Sequence, residues 1–398
     1  MKAIIKKISY LFDRKKFLQA VAVIKMLYLS RITKYPPEVL TLEAQFAKYI
    51  GAEFGLSFCN GTSAFEATLF ALGVEKNSEV LMTGLTFNSV VMAALQNGYN
   101  PKFVGFDENL NIQLQDSDVT ESTKIILISH LFGIPQNMDD ILAFARKHSL
   151  KVIEDCSHAH GAEFKGRKVG AFGDVAFFSI QGDKAVAGGE GGVALTSTKT
   201  YFDRMRLYGH MGRKLDDVEL PRLELFTGIG LGKKSRMHPF SAALALVDMR
   251  FLVDSNRLLN RQIDKVETIL KEFDSIKLLD LHQDRSLGGF HYGYPFWVKD
   301  NDDIDSINSK LLQNKLIKFR PYPFVNYTKY EVFESSHLFH NMIWSEKEVN
   351  TTEKESLPTV ESAEKHLCFL DYEFIKQFNE NDAKNIKNFL NGLATQSH

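Results

Sequence analysis

A single lysine, Lys184, lies between two short motifs that could support covalent chemistry. In the stretch FFSIQGDKAVAGGEGG, Ser179 precedes it by five residues and the turn GEGG (residues 189–192) follows it. Apolar runs typical of strands flank this lysine. A lysine held between them loses solvation, which lowers its pKa and leaves a neutral amine that can attack an aldehyde. The alternative is an exposed lysine of a surface hairpin, and the spacing alone fits both.

A second candidate feature is an anion-binding helix N-terminus. Gly61, Thr62 and Ser63 lead directly into the helical pattern of NGTSAFEATLFALG. The free N–H groups and the dipole at the start of a helix favour an anion, so these amides and the two hydroxyls could hold a phosphate. N-capping by Thr62 or Ser63 explains the same residues without a ligand.

A carboxylate and an aromatic ring occupy comparable positions after other strand-like runs. Asp155 ends the run KVIED, and a carboxylate there can hold a protonated ring nitrogen by a charge-assisted hydrogen bond. His158 and His160 follow it, so a helix cap or a His-x-His metal pair is the alternative. Phe87, in TGLTFNS, could cover a planar ring or belong to the core.

The elements that position these residues alternate between strand and helix patterns. Short apolar runs such as KIILISH are followed by helical periods such as NMDDILAFARKHSL. This order predicts an α/β layer with largely parallel strands, whose carboxyl ends collect ligands. After Met249 the pattern predicts one long helix over DMRFLVDSNRLLNRQIDKVETILKEF, then short strands and a closing helix, typical of a smaller α+β domain.

Composition narrows the functional class. The chain has 398 residues, 44% of them hydrophobic, and a formal net charge of −1, without the basic excess of nucleic-acid-binding proteins. Its three cysteines, Cys59, Cys156 and Cys368, form no CxxC pair, which argues against a disulfide framework or a structural zinc site. We therefore expect a protein of the reducing cytoplasm that binds no nucleic acid and no metal.

The first 34 residues differ from the rest. They contain nine lysine or arginine residues against the single acid Asp13, a balance of +8, so the remaining chain carries −9. Their apolar stretch from Phe17 to Leu29 contains Lys25 and is too short to span a bilayer. We expect a helix that packs on the protein's own body or on a second subunit; the alternative is a basic amphipathic helix on an anionic membrane surface.

Together these motifs resemble the DegT/DnrJ/EryC1/StrS sugar aminotransferases, a branch of the fold-type I pyridoxal phosphate (PLP) enzymes. The resemblance extends from about Tyr35 to the C-terminus and is most specific in the frame Ser179, Lys184 and GEGG. It implies a mostly parallel central sheet in a large domain and a smaller C-terminal α+β domain. We expect a basic extension over residues 1–34, a PLP-binding domain over 35–249 and a small domain over 250–398.

The resemblance also implies roles for the candidate residues. Lys184 would bind the cofactor covalently and then act as general acid and base, and Asp155 would pair with the pyridine nitrogen. Phe87 would stack on the ring, and His158 would lie near the ring hydroxyl. Gly61, Thr62, Ser63 and Ser179 would hold the phosphate. The family commonly has an asparagine that reaches the partner subunit's phosphate, and here Lys234 occupies its place.

The activity implied is transfer of an amino group, from glutamate, to a keto sugar that is linked to a nucleotide, in amino-sugar or surface-polysaccharide synthesis. Family members that dehydrate sugars typically have a histidine where Lys184 stands, so lysine favours a transaminase. A sugar dehydratase, an aminotransferase for a free cyclitol or keto-octulosonate, and a non-catalytic PLP-binding homologue are the alternatives. The resemblance implies a homodimer with a shared active site.

Overall fold

The structure of the protein is a computed structural model. The structure describes residues 2–28, 36–211, 220, 223–227, 229–281, 284–289, 292–299, 319–321, 325–344 and 355–394. None of the helices in this part of the chain is long and apolar enough to cross a membrane.

A seven-stranded sheet forms the centre of the fold, in the order β1-β9-β8-β5-β4-β2-β3. Its strands are β1 (Phe54–Phe58), β2 (Glu79–Thr83), β3 (Asn100–Val104), β4 (Thr123–Ser129), β5 (Lys151–Asp155), β8 (Val175–Ser179) and β9 (Gly192–Thr196). All run parallel except β9, which is antiparallel to both of its neighbours. The expected mostly parallel sheet is therefore confirmed.

Helices cover both faces of this sheet. They are α2 (Pro37–Ile50), α3 (Gly61–Leu72), α4 (Asn88–Gln96), α5 (Met138–His148), α6 (Lys199–Gly209) and α7 (Pro239–Met249). Successive side chains of a strand point to opposite faces. On β4, Ile125 and Leu127 pack in the core beneath α3 and α4, whereas Ile126 and Ile128 pack beneath α5. Burial on both faces explains why this strand is continuously apolar.

A smaller antiparallel sheet, in the order β10-β12-β14-β13, follows in the chain. Its strands are β10 (Ile276–Leu278), β12 (Gly293–Val298), β13 (Phe319–Pro321) and β14 (Leu367–Asp371). The helices of this region are α8 (Leu252–Leu270), α9 (Ser336–Trp344), α10 (Pro358–His366), α11 (Tyr372–Gln377) and α12 (Glu380–Ala394). A three-stranded sheet joins β11 (Arg285–Ser286) to β6 (Glu163–Phe164) and β7 (Arg167–Lys168). The division at residues 34 and 249 stays a prediction.

The single long helix expected from Asp248 onward is wrong. Helix α7 ends at Met249 and α8 begins at Leu252, with Arg250 and Phe251 between them. The break separates two environments: α7 packs in the core with α2, and α8 packs its apolar face under the small sheet. Neither glycine nor proline marks the break, so the sequence carries no local signal for it.

The N-terminal segment forms α1 (Lys2–Tyr28), which packs against α7. Met26 is buried in this contact. The opposite face is exposed and carries Phe17, Ile24 and Tyr28. The segment is therefore a helix on the body of the protein, as the first of the two interpretations expects.

A buried carboxylate, Glu154, fixes the loop that leads into β8. It accepts hydrogen bonds from the backbone N–H groups of Gly170, Phe172 and Gly173 at 2.6–2.7 Å. His130 Nε2 lies 3.2 Å from Oε2, the oxygen that also accepts from Gly170. Burial alone would raise the pKa of Glu154, but His130 and the N–H groups stabilise its charge, so the net shift of its pKa is downward.

We predict that Glu154→Gln lowers the free energy of unfolding by about 2–4 kcal/mol at pH 7, because an amide cannot replace a charge that accepts several N–H bonds. A depressed carboxyl pKa stabilises the fold above the unfolded value of 4.5, and this stability is lost as pH falls through the folded pKa. Urea unfolding should therefore show the variant and wild type converging in acid. Glu163→Gln, which removes a half-exposed partner of Lys168, is the control and should cost less than about 1 kcal/mol. Equal stability of Glu154→Gln and wild type at pH 7 would contradict the prediction.

Candidate active site

Four parallel strands, β1, β2, β5 and β8, end at one edge of the central sheet. The residues that follow them carry most of the candidate chemistry: Gly61, Thr62 and Ser63 after β1, Phe87 after β2, Asp155 on β5, and Ser179 and Lys184 on and after β8. This edge is where ligands collect in parallel α/β sheets. The topology thus brings the predicted residues to one side of the fold.

The N-terminus of α3 is capped by a residue other than Thr62 or Ser63. Asn60 is its N-cap, since its side chain accepts a hydrogen bond from the Ser63 backbone N–H at 2.7 Å. The alternative in which Thr62 or Ser63 provides the cap is therefore wrong. Because Asn60 does this work, neither hydroxyl is needed for capping.

Gly61 brings Ser179 to the same place. A Cβ atom added at Gly61 would lie 2.9 Å from Ser179 Cβ, closer than side chains approach one another. Only glycine allows the start of α3 and the end of β8 to touch in this way. The cradle of Gly61, Thr62, Ser63 and Ser179 fits a phosphate group.

Asp155 is the buried acid of the site. It accepts a hydrogen bond from the Ser157 backbone N–H at 3.0 Å, and only 6% of its surface is exposed. Burial raises the pKa of this carboxyl, while hydrogen bonding to Ser157 and the charges of Lys184 and His130 act in the opposite direction. A cationic ring nitrogen beside Asp155 would stabilise its charged form.

Lys184 lies in the connection between β8 and β9. Its backbone N–H donates to Gln181 O at 3.0 Å, and the connection is closed by Gly188 N–H donating to Ile180 O at 2.8 Å. Burial lowers the pKa of Lys184 to about 8, against the charges of Asp183 and Asp155, which raise it. Lys184 is half-buried, so it is not the exposed hairpin lysine of the alternative. With a pKa of about 8, a large share of this amine is neutral near pH 8.

A cleft of about 440 Å³ opens beside Lys184. Helix α1 contributes Lys15, Lys16 and Gln19 to its lining, and the region of the small sheet contributes Tyr292 and Phe369 among others. The N-terminal segment therefore reaches the candidate site. The sequence does not predict this contact, because contacts between residues so distant in the chain leave no local pattern.

Two further candidates differ in exposure. Phe87, just before α4, has 42% of its surface exposed, which suits a ring platform rather than a core residue. His158 is buried, and its ring lies 5.3 Å from that of Tyr292, nearly perpendicular to it. Tyr292 was not among the predicted site residues.

Lys234 lies on the segment that passes the start of α3. Its neighbour Ser235 accepts a hydrogen bond from the Cys59 backbone N–H at 2.7 Å. The side chain of Lys234 is exposed, whereas that of Lys233 binds Glu66 and Tyr208. The position is compatible with a contact to a second subunit, and the role of Lys234 stays a prediction.

The donor atoms of His130, Glu154 and Cys156 lie within 4.8 Å of one another, as metal ligands do. His130 and Glu154 have other partners, however. His130 Nδ1 accepts from the Gln136 N–H at 3.1 Å, so the ring proton lies on Nε2 and faces Glu154. Hydrogen bonding thus explains the pairing of His130 with Glu154 without a metal ion. His158 and His160 join no such cluster among the described residues.

The family profile of the DegT/DnrJ/EryC1/StrS aminotransferase family matches residues 14–365. The chain belongs to this family. It is a family of PLP-dependent aminotransferases, so the expected enzyme class is confirmed. The match begins inside the basic N-terminal segment, earlier than the resemblance from Tyr35 onward indicates, and so includes the part of α1 that lines the cleft.

Among curated relatives, GDP-perosamine synthase of Escherichia coli O157:H7 is 30% identical over 292 residues, covering 71% of this chain and 75% of the relative. L-glutamine:2-deoxy-scyllo-inosose aminotransferase of Streptoalloteichus tenebrarius is 34% identical over 242 residues, covering 58% of this chain and 57% of the relative. The names of both relatives indicate enzymes of sugar or inosose chemistry.

A solved structure of E. coli GDP-4-keto-6-deoxy-D-mannose-3-dehydratase, with bound hydrated PLP, superposes with a TM-score of 0.76. It is 20% identical, and the match covers 94% of this chain and 96% of that one. This likeness confirms the fold class.

We predict that Lys184 reacts with an acylating reagent in the cofactor-free protein with a pH midpoint of about 8, because burial favours its neutral form. Peptide mass spectrometry across pH 6–11 would measure the midpoint. Lys165 is the internal control, since its bond to Asp139 raises its pKa above 10.5, and its modification should rise only in stronger base. A Lys184 midpoint near the ordinary 10.5 would contradict the prediction.

Proposed function

We propose that this chain is a PLP-dependent aminotransferase that moves an amino group from glutamate to a nucleotide-linked keto sugar in amino-sugar or surface-polysaccharide synthesis. The observation that carries the proposal is Lys184, a half-buried amine with a pKa of about 8 that interacts electrostatically with the buried Asp155. A neutral amine and a buried carboxylate in the same site are what this chemistry requires.

Each residue of the site has its own role in this proposal. Gly61, Thr62, Ser63 and Ser179 would hold the phosphate, Phe87 would cover one ring face, and His158 would lie near the ring hydroxyl. When bound, PLP supplies an aldehyde that accepts the amine and a ring that withdraws electrons from the substrate carbon. Asp155 would keep the ring nitrogen protonated. Lys184 would hold the cofactor covalently and, once displaced, move a proton at the substrate carbon through its Nζ.

Lysine at position 184 favours amino transfer over the dehydration performed by the structural neighbour, because a free amine can bind the cofactor and return to it. A free cyclitol ketone is the second candidate acceptor, since one relative is an inosose aminotransferase. That relative's name also makes glutamine the second candidate donor.

The proposal predicts a visible absorption band in protein loaded with PLP, which glutamate bleaches within seconds to minutes. In Lys184→Ala we expect no bleaching and an amino-transfer rate at least roughly 1,000-fold lower, because the variant lacks both the covalent anchor and the proton carrier. Spectrophotometry of both proteins, with glutamine as a second donor, is the measurement. Absence of a Lys184-dependent band in the wild type would contradict the proposal.

The acceptor is tested in the same cuvette. After glutamate, a nucleoside diphosphate keto sugar should restore the visible band, whereas scyllo-inosose should not. Restoration by the inosose alone would replace the nucleotide-linked sugar with a free cyclitol. A holoprotein that binds PLP but responds to no donor would favour a regulatory homologue.

We further propose a cytoplasmic homodimer with a shared active site, in which Lys234 contacts the partner subunit's phosphate and the exposed face of α1 lies against the partner. Contact of residues 1–34 with an anionic membrane surface is the alternative for that face. The exposed apolar side chains of this face, among them Phe17 and Ile24, could contact a partner subunit or a membrane surface.

We predict that Phe17→Ser/Ile24→Ser shifts the wild-type dimer toward monomer in sedimentation velocity, because both side chains lose apolar contact area. Val253→Ser, at an exposed position of α8, is the control and should leave the dimer intact. The membrane would be favoured instead by two results together. The wild type would sediment with anionic liposomes, and the double variant would lose this binding while remaining a dimer.

A further inference from the structure

The carboxylate of Asp248, near the end of α7, connects α7 to two other segments. Gln19 Nε2 donates to its Oδ1 at 2.6 Å, and Lys15 Nζ lies 2.7 Å from its Oδ2. The backbone N–H of Ala187 donates to Oδ2 at 3.0 Å. Asp248 is 1% exposed, so its carboxylate is largely shielded from solvent.

The connected segments are α1 and the loop that carries Lys184. Ala187 is three residues after Lys184, and Gly188 follows it. A Cβ added at Gly188 would lie 2.8 Å from the carbonyl oxygen of Ser241, so the loop lies directly against α7. The backbone beyond Lys184 is therefore held between Asp248, Ser241 and its own bond to Ile180.

The charge of Asp248 depends on α1. Burial raises the pKa of this carboxyl, and the charge of Lys15, together with the hydrogen bonds from Lys15, Ala187 and Gln19, opposes that shift. A carboxylate accepts a stronger hydrogen bond from a backbone N–H than a neutral acid does. Lys15 thus strengthens the bond that Asp248 makes to the Lys184 loop.

We propose that Lys15, Gln19 and Asp248 form a clamp that positions Lys184, which makes α1 a working part of the active site. The importance of this position for catalysis rests on the proposed aminotransferase function. The clamp residues act through the loop backbone: Asp248 holds Ala187, and the short connection back to Ile180 transmits that hold to Lys184. An amine that must first bond to a cofactor and then move a proton needs such fixed placement.

The test uses the full-length protein and four single variants. Lys15→Ala removes the cation and Lys15→Arg keeps it. Gln19→Ala removes one hydrogen bond to Asp248. This smaller change provides the test if Lys15→Ala does not fold. Lys25→Ala, an exposed lysine in the last turn of the same helix, is the matched control.

The first measurement is hydrogen–deuterium exchange in the cofactor-free protein. We expect the Ala187 amide to exchange at least roughly 10-fold faster in Lys15→Ala and Gln19→Ala, and within about 3-fold of wild type in Lys15→Arg and Lys25→Ala. Unchanged exchange in folded Lys15→Ala and Gln19→Ala would overturn the clamp. This arm needs no activity, so it decides the clamp even if wild type fails to respond to any amino donor.

The second measurement is the rate at which glutamate bleaches the PLP-loaded protein. We expect a loss of roughly 10-fold or more in Lys15→Ala, recovery in Lys15→Arg, and a KM for glutamate within about 3-fold of wild type, since Lys15 acts through Asp248 and the loop backbone. If Lys15 had only a structural role, Lys15→Ala would lower the melting temperature without slowing the bleaching more than it changes KM. That result would also overturn the proposal.

Discussion

Desolvation of Lys184 is the constraint on which the site depends. The amine must be neutral often enough to react, yet Asp155 and Asp183 both favour its charged form. Burial outweighs these two carboxylates and leaves a pKa of about 8. Asp155 is itself buried, which raises its own pKa and weakens its hold on the lysine proton. Asp155 is almost fully buried, whereas Lys184 is half-buried and lines the cleft that also contacts α1.

Two neighbouring carboxylates on β5 show how one strand serves both stability and chemistry. Glu154 and Asp155 point to opposite faces because side chains alternate along a strand. Glu154 is fully engaged by backbone N–H groups and His130, and it orders the approach to β8. Asp155 makes fewer bonds and keeps capacity for a ligand. A shift of one residue in register would exchange these environments.

Much of this could be predicted from the sequence where the signal is local. The continuous apolar runs predict buried parallel strands, and the frame around Lys184 predicts the reactive amine. The Asn60 cap was missed because asparagine, serine and threonine are similarly good caps. The break between α7 and α8 has no glycine or proline. The bond between Gln19 and Asp248 spans 229 residues, a separation at which no periodicity exists.

The contact between Gly61 and Ser179 has a consequence for how the site keeps its dimensions. It joins the start of α3 to the end of β8 by hard-core packing of carbon atoms, with no charge or hydrogen bond involved. Acid, base and salt change the protonation of Lys184 and Asp155 but leave such a contact unaltered. The distance between the start of α3 and the end of β8 therefore does not depend on the groups nearby that titrate.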